Sequence, residues 1–480
     1  MKSGRREFLK GVAMTAGASC VAGAAAGCAT KGVANAGEGA PMRNFRCAPM
    51  DRVRVGVVGL GARGSSAVNR LLTVPGVEVA AVCDIRPGLA DKAVAAVVEK
   101  TGVKPAAFSG GADEFMRLCD LPQVDVVYNC TSWNAHARVS LRAMECGKHT
   151  LVEVPSALTI DECWAFVETA ERTKRHCMQL ENCCYGEQEL LALNLCKLGL
   201  LGELLHGEGA YIHDRRWQIF NDSQWERWRN HWNEAHAGNQ YPTHGLGPIA
   251  LDMGINRGDR FDYLVSVDGV QRGYEAFAAA TMPAGSPARA QRFAMADMNV
   301  TTIRTALGRT IMLQHDVTSP RPYSRLNLIA GTKGVLRGYP RLEICLEGTD
   351  EWPTTAGHHS FREEKTEEIR AKYMHPLQKA LGELAKRDGG HGGMDFVMDF
   401  RWSYCMRRGL PLDMDVYDLA SWCAVCELSE RSARGRSAPV DFPDFTRGAW
   451  KAKSRCNLMD ADVPASELLA CATPSAAARC

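Results

Sequence analysis

The chain has 480 residues, 46% of them hydrophobic and 23% charged, an ordinary globular balance with chain enough for about two to three domains. A formal net charge of +2 gives no basis for binding nucleic acid or another polyanion.

Arg5 and Arg6 precede Phe8, Leu9 and Lys10, and a weakly apolar Ala/Gly/Val run follows from Gly11 to Gly27. Residues 1–30 therefore read as a twin-arginine signal, a segment addressed to the export machinery and separate from the fold. The glycines make the run too weakly apolar for a permanent membrane span. Ala25-Ala26-Gly27-Cys28 is an imperfect lipoprotein box, with Ala25 where a larger aliphatic is usual. Both a lipid anchor at Cys28 and simple cleavage stay open, and the expected location is the periplasm or the envelope. Nineteen cysteines in an exported chain suggest disulfides. Yet Cys83, Cys130, Cys163, Cys177 and Cys196 fall inside expected strands and helices, where a thiol acts as a small hydrophobe. Zinc is not expected, because Cys183-Cys184 lacks a second spaced pair. Residues 31–50 read as a linker.

The pattern then sharpens. Val53 to Val58 is an apolar, β-branched run expected as a buried parallel strand. Gly59, Gly61 and Gly64 follow in G-x-G-x-x-G spacing, then an amphipathic run and a second apolar strand from Val77 to Cys83 ending in Asp84. Strand, glycine turn, helix and acidic strand end together predict a dinucleotide-binding βαβ unit, with the pyrophosphate on the helix N-terminus. Asp84 is placed to accept from the adenosine ribose and would repel a 2′-phosphate, which favours NAD. Arg63, beside the phosphates, pulls the other way.

Strand and helix patterns keep alternating. Strands are expected over Val124 to Cys130, His149 to Glu153 and His176 to Glu181, with helices over His136 to Cys146 and Ile160 to Thr173. This predicts a doubly wound parallel sheet over residues 51–182. Asp84, Thr131 to His136, Glu153 and Asn182 should converge at its carboxyl-end crevice.

After Gly186 the rhythm changes. A helix (Glu187 to Leu198) and a long strand (Glu203 to His213) lead into a segment with Trp217, Trp225, Trp228 and Trp232. Strands are expected over Phe293 to Met298, Thr301 to Leu307, Thr310 to Asp316, Leu326 to Ala330, Val335 to Gly338 and Leu342 to Leu346. Residues 183–450 are thus expected as an α+β domain with a large, open, mainly antiparallel sheet, whose free face would suit a homodimer. Residues 350–390 read as irregular. Helices over Gly393 to Arg408 and Val416 to Ser432 are expected to pack back on the nucleotide domain, and residues 451–480 form a poorly ordered tail.

Chemistry-bearing groups gather in four short segments: Glu153-Val154-Pro155, Glu181 to Gly186, Tyr211 to Asp214 and Gly238 to Gly245. Tyr185 follows a strand's carboxyl end, and His244 sits on a Pro-Thr-His turn where an imidazole can move protons near neutral pH. Both can equally be satisfied turn or core residues. The tryptophans fit a cover for the second sheet as well as a sugar platform. Gly390 to Asp395 fits a helix cap or a site element.

These segments resemble glycoside hydrolase family 109, the NAD-dependent α-N-acetylgalactosaminidases, within the glucose–fructose oxidoreductase/inositol dehydrogenase superfamily. The likeness is carried by LENCCYG (180–186), GNQYPTHGLGP (238–248), INRGDRFDYLVS (255–266), SPRPYSR (319–325) and GHGGMDF (390–396), within a span from about Arg52 to Asp444. Val154 stands where the superfamily usually has the lysine of Glu-Lys-Pro, which argues against ordinary sugar oxidation. The resemblance implies hydrolysis without net redox. NAD oxidises C3 of the sugar, a base removes the acidified C2 proton, the aglycone leaves C1, water adds and C3 is reduced again. It also implies NAD contacts at Ala62, Arg63, Asp84, Trp133, Asn134, Ala135, His136, Glu153, Val154 and Asn182. Substrate contacts are implied at Tyr211, Arg229, Tyr241, Pro242, Thr243, His244 and Tyr323. Acid–base work is implied for His244 at the C3 hydroxyl, Tyr185 at C2 and Tyr241 as a relay. The alternatives are a net sugar oxidoreductase and a non-catalytic sugar-binding relative.

Overall fold

Five of the six residues of β1 (Val53–Val58) are buried, as a strand covered on both faces requires. The computed structural model describes residues 40–220, 227–348 and 360–462. Around β1 lie β2 (Val77–Asp84), β3 (Ala106–Ser109), β4 (Val126–Asn129), β5 (His149–Val152) and β6 (Cys177–Gln179), all parallel, in the order β3-β2-β1-β4-β5-β6. This is the doubly wound sheet that the alternating pattern predicts, with the short β3 added at its edge.

The second sheet has eight strands: β7 (Leu204–Ile212), β8 (Phe261–Asp268), β9 (Asn299–Thr305), β10 (Thr310–Asp316), β11 (Leu328–Gly331), β12 (Gly334–Arg337), β13 (Glu343–Leu346) and β14 (Val440–Asp441). Their order is β13-β12-β11-β7-β10-β9-β8-β14, and only β7 and β10 pair in parallel. The helix Thr243–Asp252 lies across β7 at very short range. A Cβ on Gly209 would come within 2.3 Å of the Gly245 carbonyl, so this crossing needs glycine on both sides. One sheet face packs on this helix and on Val416–Arg434, while the other keeps Tyr263, Val265, Val267, Val300, Thr302 and Met312 partly or fully exposed.

Several expectations fail for identifiable reasons. Residues 40–50 are no free linker: Ala40 and Met42 are buried, and Arg43 donates to the carbonyls of Asn256, Ala449 and Ala452. Their small and polar composition hid side chains that plug gaps between elements. Phe293 to Met298 forms no strand, whereas Phe261–Asp268 does and Gly273–Thr281 is a helix. Within 350–390, the charged stretch holds the helices Glu363–Tyr373 and Pro376–Asp388, whose solvated faces mask a thin apolar stripe (Ile369, Leu377, Leu381). Residues 451–462 also join the fold, with Cys456 and Leu458 buried. The twin-arginine segment, Cys28, Trp225 and the end of the tail lie outside the described residues. The described cysteines are free thiols, most of them buried.

Candidate active site

The turn after β1 is built for close approach. Gly59 has φ +86°, and a Cβ on Gly64 would fall 1.8 Å from the Gly59 carbonyl oxygen, so neither position accepts a side chain. Gly61 caps the helix Ala62–Leu71 with no side-chain acceptor. The first-turn N–H groups are therefore left for an anion at the positive helix end. Asp84, buried at the end of β2, accepts from the Leu60 N–H at 2.7 Å and from the Arg86 N–H at 2.8 Å, which moulds the turn. These features fit a dinucleotide: an uncapped helix start for the diphosphate and a carboxylate at the adenosine end.

Across the crevice, the helix Trp133–Glu145 opens at Ser132, again with no side-chain cap. That places Trp133, Asn134, Ala135 and His136 in one helix turn. The Asn134 amide oxygen is held by the Ser132 hydroxyl. The His136 ring is committed to protein, facing the carbonyls of Pro155 at 2.8 Å and Thr131 at 3.0 Å. Burial pushes its pKa down to about 4, so the neutral ring braces the loop. Glu153 and Asn182 stand at the ends of β5 and β6. Arg63 Nε donates to Glu153 at 2.5 Å, and Val154 is buried beside it.

The second domain adds an aromatic chamber. The ring of Tyr241 lies 5.8 Å from Trp133, 4.4 Å from Tyr211 and 4.9 Å from His244. Trp133 thus joins the cofactor crevice to this chamber, with Trp228 at 5.0 Å and Trp232 at 6.3 Å. Trp217, by contrast, is exposed. Arg229 stacks over Trp133 and Trp228 at 4.3 and 4.7 Å. Its Nε has no acceptor among the described residues, and burial, then the charge of Arg215, lowers it to about 10. A small cavity is bordered by Trp133, Tyr211, Arg215, Arg229, Tyr241 and His315.

Two proton-handling units stand out. His244 donates from Nδ1 to the fully buried Glu181 at 2.7 Å. Burial alone would raise the Glu181 carboxyl, but His244 and the Cys183 N–H hold it below its ordinary value. The carboxylate fixes the imidazole tautomer and leaves Nε2 without a protein partner among the described residues. The Tyr211 phenol accepts from Arg215 Nη1 at 2.9 Å and faces His213 Nδ1 at 3.0 Å. Burial, then Arg215, lowers His213 to about 4, so its ring stays neutral and Nδ1 can accept the phenol's hydrogen bond. Burial pushes Tyr241 well above a normal phenol. Pro242 and Thr243 form the turn that starts the His244 helix, and Tyr323 closes one side, 42% exposed.

Tyr185 is the correction. It is 1% exposed, and its hydroxyl donates to Asp413, itself held by Arg401 and Asn457. The short helical turn Asn182–Tyr185 after β6 carries the ring into the core rather than out over the crevice. Glu181 and His213 lie in the segments singled out above but carried no expected role, and Arg215 was not singled out. Alternation along β7 puts Tyr211 and His213 on one face, and the strand-end rule could have flagged Glu181.

Glu181, Cys183 and His244 also present ligand atoms within 4.8 Å of one another. Burial raises the Cys183 thiol and so opposes the thiolate a metal needs, and the Glu181–His244 bond already uses two of the three groups. A cavity of about 1460 Å³ opens among Phe45, Lys148, Arg175 and Leu410, at the opposite, amino ends of β4 to β6, and touches none of these site residues.

A dinucleotide crevice feeding an aromatic chamber with an imidazole–carboxylate pair defines an NAD-binding, two-domain enzyme. Residues 53–180 match the oxidoreductase family with an NAD-binding Rossmann fold, and residues 185–452 match the glycosyl hydrolase 109 C-terminal domain. A "Glycosyl hydrolase family 109 protein" of Shewanella pealeana is 44% identical over 453 residues, covering 94% of this chain and 98% of that one. An "Alpha-N-acetylgalactosaminidase" of Shewanella oneidensis is 47% identical over 403 residues, 84% and 87% of the two chains. Among solved structures, levoglucosan dehydrogenase in complex with NADH and L-sorbose superposes with TM-score 0.62 at 20% identity, covering 82% of this chain and all of that one, a likeness of fold. The chain belongs to glycosyl hydrolase family 109, and it is an NAD-dependent glycosidase of that family.

Proposed function

We propose that the protein hydrolyses a terminal α-linked N-acetylgalactosaminide, or a related α-glycoside, by transient oxidation at C3, loss of the C2 proton, elimination at C1, water addition and re-reduction, with no net redox. The observation that carries this reading is the contact of Trp133, at the crevice, with Tyr241, which in turn touches Tyr211 and His244. The activity printed for the Shewanella oneidensis relative supports the choice of sugar. Bound NAD supplies a reversible two-electron acceptor for C3.

The chain's residues do the rest. Gly59, Gly61 and Gly64 with the first-turn N–H groups, Asp84, Glu153 and Asn182 hold the dinucleotide. His244 takes and returns the C3 hydroxyl proton at Nε2, while Glu181 steadies the imidazolium that forms. Tyr211, rather than Tyr185, handles the C2 proton. Arg215 donates to its oxygen and stabilises negative charge there, and His213 Nδ1 accepts its hydrogen bond and orients the hydroxyl. Tyr241 and Tyr323 line the sugar, and Arg229 presents a guanidinium that needs a ligand acceptor.

The test uses aryl α- and β-glycosides and protein as purified, without added cofactor. Release of the α-N-acetylgalactosaminide, slowed by deuterium at C2 and abolished when NAD is stripped, is expected. Hydrolysis unchanged after stripping refutes the reading, and stoichiometric NADH accumulation identifies a net oxidoreductase instead. Export through the twin-arginine machinery and pairing of two copies across the open sheet face belong to the same reading. Signal-dependent recovery from the periplasm and a Val300→Asp variant in sedimentation check them.

A further inference from the structure

The glycine-rich turn Gly389 to Gly393 and the start of the helix Met394–Arg408 take no part in the chemistry above, yet they enter the cofactor crevice. Asp395, with a side chain 1% exposed, accepts from Arg63 Nη1 at 2.7 Å and Nη2 at 3.0 Å. It accepts from Asn182 Nδ2 at 2.7 Å and pairs with His391 Nδ1 at 2.8 Å. Arg63 in turn holds Glu153. Two crevice residues, Arg63 after β1 and Asn182 after β6, are thus tied through one carboxylate delivered by the C-terminal helix, and Glu153 after β5 joins them through Arg63. In the sheet order β1-β4-β5-β6, that chain of contacts passes over the end of β4, where the crevice opens.

We propose that Asp395, assisted by His391, is the positioning residue that locks NAD into the crevice, so that the dinucleotide leaves only when the Arg63–Asp395–Asn182 bridge opens. Arg63 belongs to the first turn of the helix that receives the diphosphate, and Asn182 to the opposite rim. A carboxylate bonded to both removes their freedom to part. The C-terminal helix thereby makes cofactor retention depend on the second domain. A reaction with no net redox needs the cofactor to stay. The inference nevertheless rests on NAD binding alone, and it can fail separately from the glycosidase reading.

The experiment compares the full chain with Asp395→Asn, His391→Ala and a control, Asp418→Asn. Asp418 is equally buried and bonded to Arg257, but it takes no part in the bridge. Bound NAD is quantified by mass spectrometry after gel filtration, and exchange is followed by a chase with isotope-labelled NAD. Asp395→Asn should release NAD at least about tenfold faster, the scale of one charge-assisted hydrogen bond lost. His391→Ala, at an exposed position that endangers no core, should release it several-fold faster. Asp418→Asn should lower the melting temperature with exchange unchanged. The proposal is overturned if exchange in Asp395→Asn or, should that chain not fold, in His391→Ala equals or is slower than that of the parent. It is overturned equally if Asp418→Asn accelerates exchange as much.

Discussion

Tyr185 and Tyr211 make opposite predictions when each loses its hydroxyl. Tyr185→Phe removes one hydrogen bond to Asp413, 3.1 Å long and fully buried. A bond to a charged group is worth about 1.5–3 kcal/mol, but Asp413 keeps two bonds to Arg401 and one to Asn457, so the loss should fall at the lower end, about 1–2 kcal/mol. The ring stays, so no cavity adds to that cost. Tyr211→Phe instead removes a phenol from the chamber while leaving its packing against Tyr241. Melting by differential scanning fluorimetry, with turnover measured per folded molecule, separates the two. Tyr185→Phe should melt lower and retain turnover within about twofold; Tyr211→Phe should melt near the parent and lose about 10²–10⁴ in kcat, the usual reach of a lost acid–base group. A Tyr185→Phe enzyme that melts like the parent but does not turn over would sink the reasoning and restore Tyr185 as the base.

Glu181→Gln keeps the shape of the His244 pair but removes the charge that stabilises its imidazolium, so kcat should fall by about 10²-fold or more with NAD content unchanged. Gly64→Ala should yield protein without dinucleotide, because its Cβ would lie 1.8 Å from the Gly59 carbonyl oxygen. Arg229→Met should raise KM and lower kcat together if the guanidinium meets charge that develops at C3 oxygen, and the C2 deuterium effect should grow; a rise in KM alone would make it a ground-state contact only. Stability should fall as pH drops from about 6.5 to about 4. Burial lowers His136, His315 and His375 to about 4 and His149 to about 3 in the folded state, so the unfolded chain binds protons in that window and the folded one does not. Thermal melts across pH check this, and a flat profile between those limits counts against it.

The parallel sheet was legible because strands covered on both faces read as nearly continuous apolar runs, as β1 and β2 do apart from Arg54, Glu78 and the terminal Asp84. Thr159 before Ile160 marked a helix start that matches to the residue, since its hydroxyl accepts from the Glu162 N–H. The second sheet was less legible: β8 reads Phe-Asp-Tyr-Leu-Val-Ser-Val-Asp, with one face open to solvent, and Phe293 to Met298 looks as strand-like although it packs as a loop around Tyr274. Local pattern cannot separate these, because pairing partners decide. Tyr211, Tyr241, His244 and Tyr323 lie together in the structure, whereas Tyr185 lies apart in the core. A two-residue difference in where a strand ends, at Gln179 instead of Glu181, rotates the following turn and sends the phenol inward. No role could be read for His213 and Arg215 from the sequence, because what distinguishes them is their contact with the Tyr211 hydroxyl.

The charges divide by compartment, and the division matches the proposed chemistry. Around the dinucleotide, each cation has a carboxylate: Arg63 with Glu153 and Asp395, Arg70 with Asp399, Arg86 with Asp84. In the aromatic chamber Arg215 and Arg229 have no carboxylate among the described residues, and aromatic faces hold Arg229 in its place. Burying such a cation unpaired is costly, and burial lowers Arg229 accordingly. A neutral sugar offers too little charge to explain it in the ground state. Losing the C2 proton next to a C3 ketone does supply charge, an enolate, and a desolvated guanidinium fixed in advance stabilises it without reorganisation. A pocket that only bound and released a neutral glycoside would gain nothing from a cation kept without a partner. A pocket that must lower the barrier to a carbanion-like state would.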